Sequence, residues 1–176
     1  YAIFSEQARL CLNRNGNTGI LVPLGISTDD NNKLFFADLI KQNELIALLG
    51  FENEEFIFLD VHHAFKFVAL IFAGRAKKAK QAKYVFYCRN VSQTRQELRG
   101  YSMSYSDIVV LNPNTLTAPV FRNRIDAEIN RKIYKTHSVI KKDNPEDNPW
   151  NVAIHRMFNP TDDSSLFYKR DELNLK

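Results

Sequence analysis

Apolar positions recur at helical spacing over residues 2 to 13, where Ile3, Phe4, Ala8, Cys11 and Leu12 share a face and the run Asn13-Arg14-Asn15-Gly16-Asn17 stops it. This predicts a helix with a tight exit. Gly19-Ile20-Leu21-Val22-Pro23-Leu24 is a short continuous apolar run of the kind found in strands covered on both faces, so a buried parallel strand is expected there. Ser27 and Thr28 are placed to cap the next helix, which Leu34, Phe35, Leu39 and Ile40 continue, with Asp29 and Asp30 near its positive end. Leu45 to Phe51 is a second apolar run. Strand, helix, strand over residues 19 to 51 spells half of a doubly wound α/β sheet.

After an acidic, aromatic loop (52 to 60), residues 65 to 72 predict a strand added antiparallel to the previous one, since no helix lies between to carry a crossover. The segment 75 to 83 has five cations and no acid, and reads as a basic linker. Beyond it, Tyr84 to Cys88 alternates as a strand, Ser92 to Leu98 and Tyr105 to Leu111 read as short helices, and Asn123 to Lys135 carries isoleucines at helical intervals. Asn144 to Pro149 breaks regular structure, and Asn151 to Phe158 offers a last strand. The expected organisation is an α/β unit over 1-74, the linker 75-83, and a small α+β extension over 84-176.

Composition changes the picture little: of 176 residues, 44% are hydrophobic and 25% charged, as in an average globular domain. The longest apolar stretch, Phe67 to Ala73, is far short of the ~20 residues that cross a bilayer, and the expectation is a cytoplasmic protein with no membrane partner. Tyr1 opens the chain within a helical pattern, which suggests a piece of a larger polypeptide. A half sheet would expose an edge, so self-association is expected too.

Charge does more. The net +4 conceals eight acids against two lysines over residues 29 to 60, and fourteen Lys and Arg against four acids over 61 to 135. Clustered cations are what contact with a polyanion such as DNA needs, although a solvated basic face has the same composition. The DNA-binding candidates are Arg75, Lys77, Lys78, Lys80, Lys83, Arg122 and Arg124, with an internal pairing to Asp126 or Glu128 as the plainer role for the last two. His62 and His63 stand beside Asp60, but neighbours in extended chain point to opposite faces and would not share a metal ion. Cys11 and Cys88 lack both metal-site spacing and a nearby histidine.

Several separated segments then acquire a meaning together. Gly19 to Asp30, Lys33 with Phe35 and Phe36, Phe51-Glu52-Asn53, Phe65-Lys66-Phe67, Leu111 to Thr115, Pro119-Val120-Phe121-Arg122, Asp126-Ala127-Glu128, Asn148-Pro149-Trp150 and Met157-Phe158 occur in order. Their series resembles the later half of the adenine-specific DNA methyltransferase domain of Eco57I-type restriction-modification proteins. The resemblance implies a partial Rossmann-like sheet, S-adenosylmethionine as the parent protein's cofactor, and methylation of an adenine N6 on a base turned out of the duplex. It also implies an aromatic residue that stacks on that base, for which Phe58 and then Phe65 are the candidates; both also suit plain core packing, and family sequences often carry Pro where Leu59 stands. The family's glycine-rich cofactor turn and its Asn-Pro-Pro-Tyr/Phe tetrapeptide are missing: the chain has no Gly-x-Gly, and its Asn-Pro pairs are followed by Asn, Glu, Trp and Thr. The chain alone is therefore expected to be catalytically silent, with the remainder of the methyltransferase domain as its partner. A non-catalytic DNA- or subunit-binding module and an unrelated α/β domain are the alternatives.

Overall fold

The computed structural model describes residues 1–173. Helix α1 (Ala2–Cys11) leads into β1 (Asn17–Pro23), followed by a one-turn helix α2 (Gly25–Thr28), α3 (Lys33–Lys41) and β2 (Leu45–Glu52). The acidic loop connects β2 to β3 (Lys66–Ala73); β4 (Ala82–Cys88), β5 (Tyr101–Met103), α4 (Tyr105–Leu111) and α5 (Arg124–Thr136) follow. A two-residue hairpin of β6 (Lys142–Asp143) and β7 (Glu146–Asp147) and the terminal turn α6 (Arg170–Leu173) complete the described chain.

Five strands form one mixed sheet in the order β1-β3-β2-β4-β5. β3 lies antiparallel between β1 and β2, so those two run parallel to each other without touching; β4 joins β2 in parallel and β5 closes that side antiparallel. The expected antiparallel addition after β2 is what is found. The chain is thus a mixed α/β unit of the partial Rossmann-like kind.

β1 departs from expectation. It is an edge strand, antiparallel to its one neighbour, with alternating burial in place of cover on both faces. An unbroken apolar run fits either state, and β3 occupies the place a parallel neighbour would take. Gly16 and Leu24 exchange backbone hydrogen bonds with β3, accepting from Gly74 and donating to Lys66. By antiparallel alternation the even residues between them face β3, and Asn17, Gly19, Leu21 and Pro23 turn their backbone groups outward. Pro23, with no N–H to offer, sits where no sheet partner needs one.

Helix starts follow local chemistry. Ser104 and Asp107 form a reciprocal capping box on α4, and the Asn123 side chain accepts from the Asp126 N–H at the start of α5. The expected cap at Ser27 and Thr28 is not made: both hydroxyls donate back to the Leu24 carbonyl within α2, an option open to short hydroxyl side chains, and α3 starts after Asn32 without a side-chain cap. Ser92 to Leu98 shortens to a 3₁₀ turn over Val91–Arg95, and 151 to 158 forms no strand: its apolar residues, Val152, Ile154, Met157 and Phe158 among them, stay exposed and find no layer to pack on.

Phe36, Leu39 and Ile40 of α3 pack on Leu48, Val68, Leu70, Phe72, Tyr84 and Phe86, and Ile108 and Leu111 of α4 extend that core. On the opposite sheet face a second cluster, Phe51, Val85 and Cys88 with Leu49, Phe67 and Ala69, is built from strand residues. Phe51 and Phe67 stack at 5.2 Å, and Phe58 of the acidic loop meets Phe67 in a T-shaped contact at 5.0 Å. Among the described residues no helix is long and apolar enough to cross a membrane.

Candidate functional site

β1, β2 and β4 are mutually parallel, so their carboxyl ends lie at one end of the sheet, where α/β folds commonly hold ligands. That end collects Gly25 after β1, Glu52 at the end of β2 with the acidic loop after it, and Arg89 after β4; β3 enters there with Phe65 before it and Lys66 as its first residue. The basic 75 to 83 segment, by contrast, joins the end of β3 to the start of β4 and lies at the opposite end. Sequence proximity placed the basic run close to Phe58 and Phe65; topology separates them by the length of the strands.

The acidic loop is organised by Asn53, which is fully buried. Its amide donates to the carbonyls of Phe58 (2.9 Å) and Val61 (2.7 Å), and its side-chain oxygen accepts from the Phe58 N–H at 2.9 Å. The Asn53 N–H donates to Phe65 carbonyl, so one residue ties both ends of the loop. Phe58 is thereby held against Phe67 of the sheet and remains 41% exposed. Phe65, 63% exposed, lines a shallow hollow with Leu24, Gly25, Thr28 and Asp29.

His62 and His63 lie in a turn, not in extended chain, and their rings are 4.4 Å apart. The geometric reason for expecting them on opposite faces does not hold, and His63 Nδ1 is 3.2 Å from Glu54. Among the described residues no group of three or more His, Cys, Asp and Glu side chains is arranged to hold a metal ion.

Between the ends of β2 and β4 an open cleft of about 740 Å³ is lined by Glu52, Glu54 and Glu55 on the β2 side and by Tyr87, Arg89, Arg99 and Arg122 on the other. Tyr87 is its least regular residue. The β2–β4 register passes from Leu49↔Val85 to Phe51↔Cys88, one extra residue on β4, and Tyr87 takes a left-handed φ of 57°. Such bulges re-aim side chains next to sites. The Tyr87 ring has the Lys66 ammonium at 5.5 Å and the Arg122 guanidinium at 5.3 Å, both within cation–π range. Arg99 donates to the Tyr87 carbonyl at 3.2 Å and to Gln96 at 2.8 Å, while Glu52 lies between Lys66 (3.6 Å) and Arg89 (3.7 Å).

The other candidate cations divide into free and engaged. Lys78 is 3.1 Å from Glu44, a buried carboxylate that Arg9 also holds at 2.7 Å. Lys83 donates to the Thr94 carbonyl, and Arg124 pairs with Glu128 at 3.4 Å, one of the two acids expected to hold it. Arg75, Lys77, Lys80 and Arg122 make no ion pair among the described residues. Cys88 is buried, and desolvation pushes its thiol up despite Arg99 and Lys83, the opposite of what a nucleophile needs.

No family model matches the chain, and neither does any curated protein. Among solved structures, a chain from work on complex assembly and conformational transition of the type I R-M system matches with 14% identity and a TM-score of 0.41. The match covers 70% of this chain and 34% of that one, so this chain spans about a third of its length. At that identity and TM-score the likeness adds nothing to the geometry.

Asn53, Tyr87, Arg89 and Arg99 were not among the sequence candidates. For Asn53 there was a signal, a polar residue directly after an apolar strand and within a resemblance segment; for Tyr87 there was none, because Tyr84 to Cys88 is apolar or aromatic throughout, and the phase shift that puts Cys88 on the face of Val85 leaves no mark in such a run. No Gly-x-Gly occurs, and the one turn glycine after β1, Gly25, has the Asp29 carboxylate packed where an approaching group would lie.

Proposed function

We propose that this chain is the later part of an S-adenosylmethionine-dependent adenine-N6 DNA methyltransferase of a restriction-modification system, with the cofactor turn and the catalytic tetrapeptide on the remaining part of the domain. What supports the reading is one arrangement: an antiparallel strand threaded between two parallel ones, as the later strands of such a sheet require, with an exposed aromatic at their carboxyl ends and an unpaired strand edge at β1. In this reading the chain transfers no methyl group alone. Phe58 covers one face of the extruded adenine, with Phe65 beside the neighbouring strand end as the second choice. Backbone contacts divide between Arg122 at that end and Arg75, Lys77 and Lys80 at the other, with Lys78, Lys83 and Arg124 committed to internal bonds.

In the complete polypeptide, Phe58→Ala is expected to lower methyl transfer to DNA by roughly 5- to 100-fold, the worth of one base–aromatic stack, with little change in unfolding midpoint. A loss of stability of about 3 kcal/mol or more would instead mark Phe58 as packing for Phe67. Absence of methyl transfer from the unaltered polypeptide would defeat the reading. The second reading, a non-catalytic DNA- or subunit-binding module, draws on the Arg122–Tyr87 cleft, which needs no cofactor to bind a ligand.

The unpaired edge has its own expected result. Asn17, Gly19 and Leu21 present free backbone groups, and Leu21 is 61% exposed. The chain by itself is expected to self-associate through β1, and Leu21→Lys should shift its sedimentation to the monomer, since charge on an edge strand opposes pairing. Unchanged sedimentation in that variant would acquit the edge.

A further inference from the structure

The cleft between β2 and β4 has two chemically opposite sides. On the β4 side, Arg122 lies over the Tyr87 ring with no ion pair among the described residues, which leaves the in-plane donors of its guanidinium for a ligand. Arg99 spends donors on Gln96 and the Tyr87 carbonyl, two of the five that a guanidinium carries. On the β2 side, Glu55 accepts one bond from the Asn90 amide at 3.2 Å and Glu54 meets His63, whereas a carboxylate has about four acceptor positions. A bare polyanion satisfies the first side and is repelled by the second. A ligand that joins an anion to a group rich in N–H donors satisfies both.

We propose that this cleft binds one nucleotide of a DNA strand, its phosphate on Arg122 and Arg99 and the exocyclic amine of its base on Glu54 or Glu55. The inference rests on the reading above only for the choice of DNA as the ligand. Adenine, cytosine and guanine carry such an amine and thymine does not, so the acidic side confers a preference that phosphate contacts alone cannot. The volume suits a ligand of this size. The left-handed backbone at Tyr87 agrees, because strain of this kind persists where a site needs a side chain in an unusual place.

The test is fluorescence anisotropy of the 176-residue chain with labelled oligo-dA, oligo-dC and oligo-dT at low salt. Oligo-dA and oligo-dC are expected to bind about 5- to 100-fold more tightly than oligo-dT, the range of one well-made base-edge contact. Arg122→Ala should weaken all three alike, and Glu54→Ala with Glu55→Ala should erase the preference while raising oligo-dT affinity. Equal affinity for the three oligonucleotides overturns the proposal. So does displacement by inorganic phosphate as effective as by dAMP, which would leave a simple anion pocket, or a loss that follows Lys77→Ala with Lys80→Ala and not Arg122→Ala. The preference needs no methyl transfer: if it is found and the complete polypeptide does not methylate, the methyltransferase reading falls and the site stands, while methylation without the preference has the reverse meaning.

Discussion

Arg9→Met is expected to destabilise the chain by about 3 kcal/mol, at the low end for a broken buried ion pair. Arg9 from α1 reaches Glu44 at 2.7 Å and Asp38 of α3 at 2.7 Å, and Glu44, at the entry to β2, is 2% exposed. Without the guanidinium a carboxylate remains in the interior with Lys78 as its partner at 3.1 Å, which is why the cost falls short of that for a wholly unpaired charge. Urea unfolding of the single variant and of Arg9→Met with Glu44→Leu checks this, because removing the stranded charge should restore most of the loss. A single variant within about 0.5 kcal/mol of the parent would show that water reaches the pair. The same cluster sets an acid limit. Burial alone would raise Asp38, but hydrogen bonds from Arg9 and Gln42 outweigh it and hold the carboxyl below its ordinary 3.8. A carboxylate depressed in the folded state contributes stability above its unfolded value and loses it as pH falls through the folded one. The Arg9 variant should therefore lose less stability than the parent on acidification below that point.

Asn53→Ala is the second large effect, expected to cost about 2–3 kcal/mol through three hydrogen bonds lost from a buried position. Its signature separates it from a general loss of packing. Hydrogen exchange should accelerate first at residues 54 to 62, the loop whose carbonyls and amide Asn53 holds, while β2 and β3 stay protected. Asn53→Asp should be no milder, since it keeps the acceptor for the Phe58 amide and turns a negative oxygen toward the Phe58 and Val61 carbonyls. Uniform acceleration across the sheet would mean that Asn53 supports the core and not the loop.

Much of this architecture could be read from spacing, and what escaped was decided by residues far apart in the chain. α3, α5, β2 and β4 declare themselves locally, through one apolar face or one apolar run. The status of β1 does not, because whether Ile20 and Val22 are covered once or twice depends on where β3 comes to rest. For the same reason Phe58 and Arg122 lie at one end of the sheet while Lys77 and Lys80 go to the other: strand direction sorts them. The relative placement of His62 and His63 was not legible because the turn that holds them was not, and the pairing of Lys78 was not because the buried acid that engages it lies more than thirty positions earlier. Asn53 and Arg122 carried legible hints within the resemblance segments; Tyr87 did not, since its role depends on an irregularity in pairing with β2.

The insertion of β3 also dictates an order of assembly. Asn17 must wait for Ala73 and Pro23 for Phe67, whereas β2 meets β3 soon after it is made. During synthesis the first strand therefore emerges long before β3, its neighbour among the described residues, exists, and the β2–β3 ribbon is the natural nucleus on which it later docks. Loop-closure cost of this type slows folding, and the slow step should belong to β1.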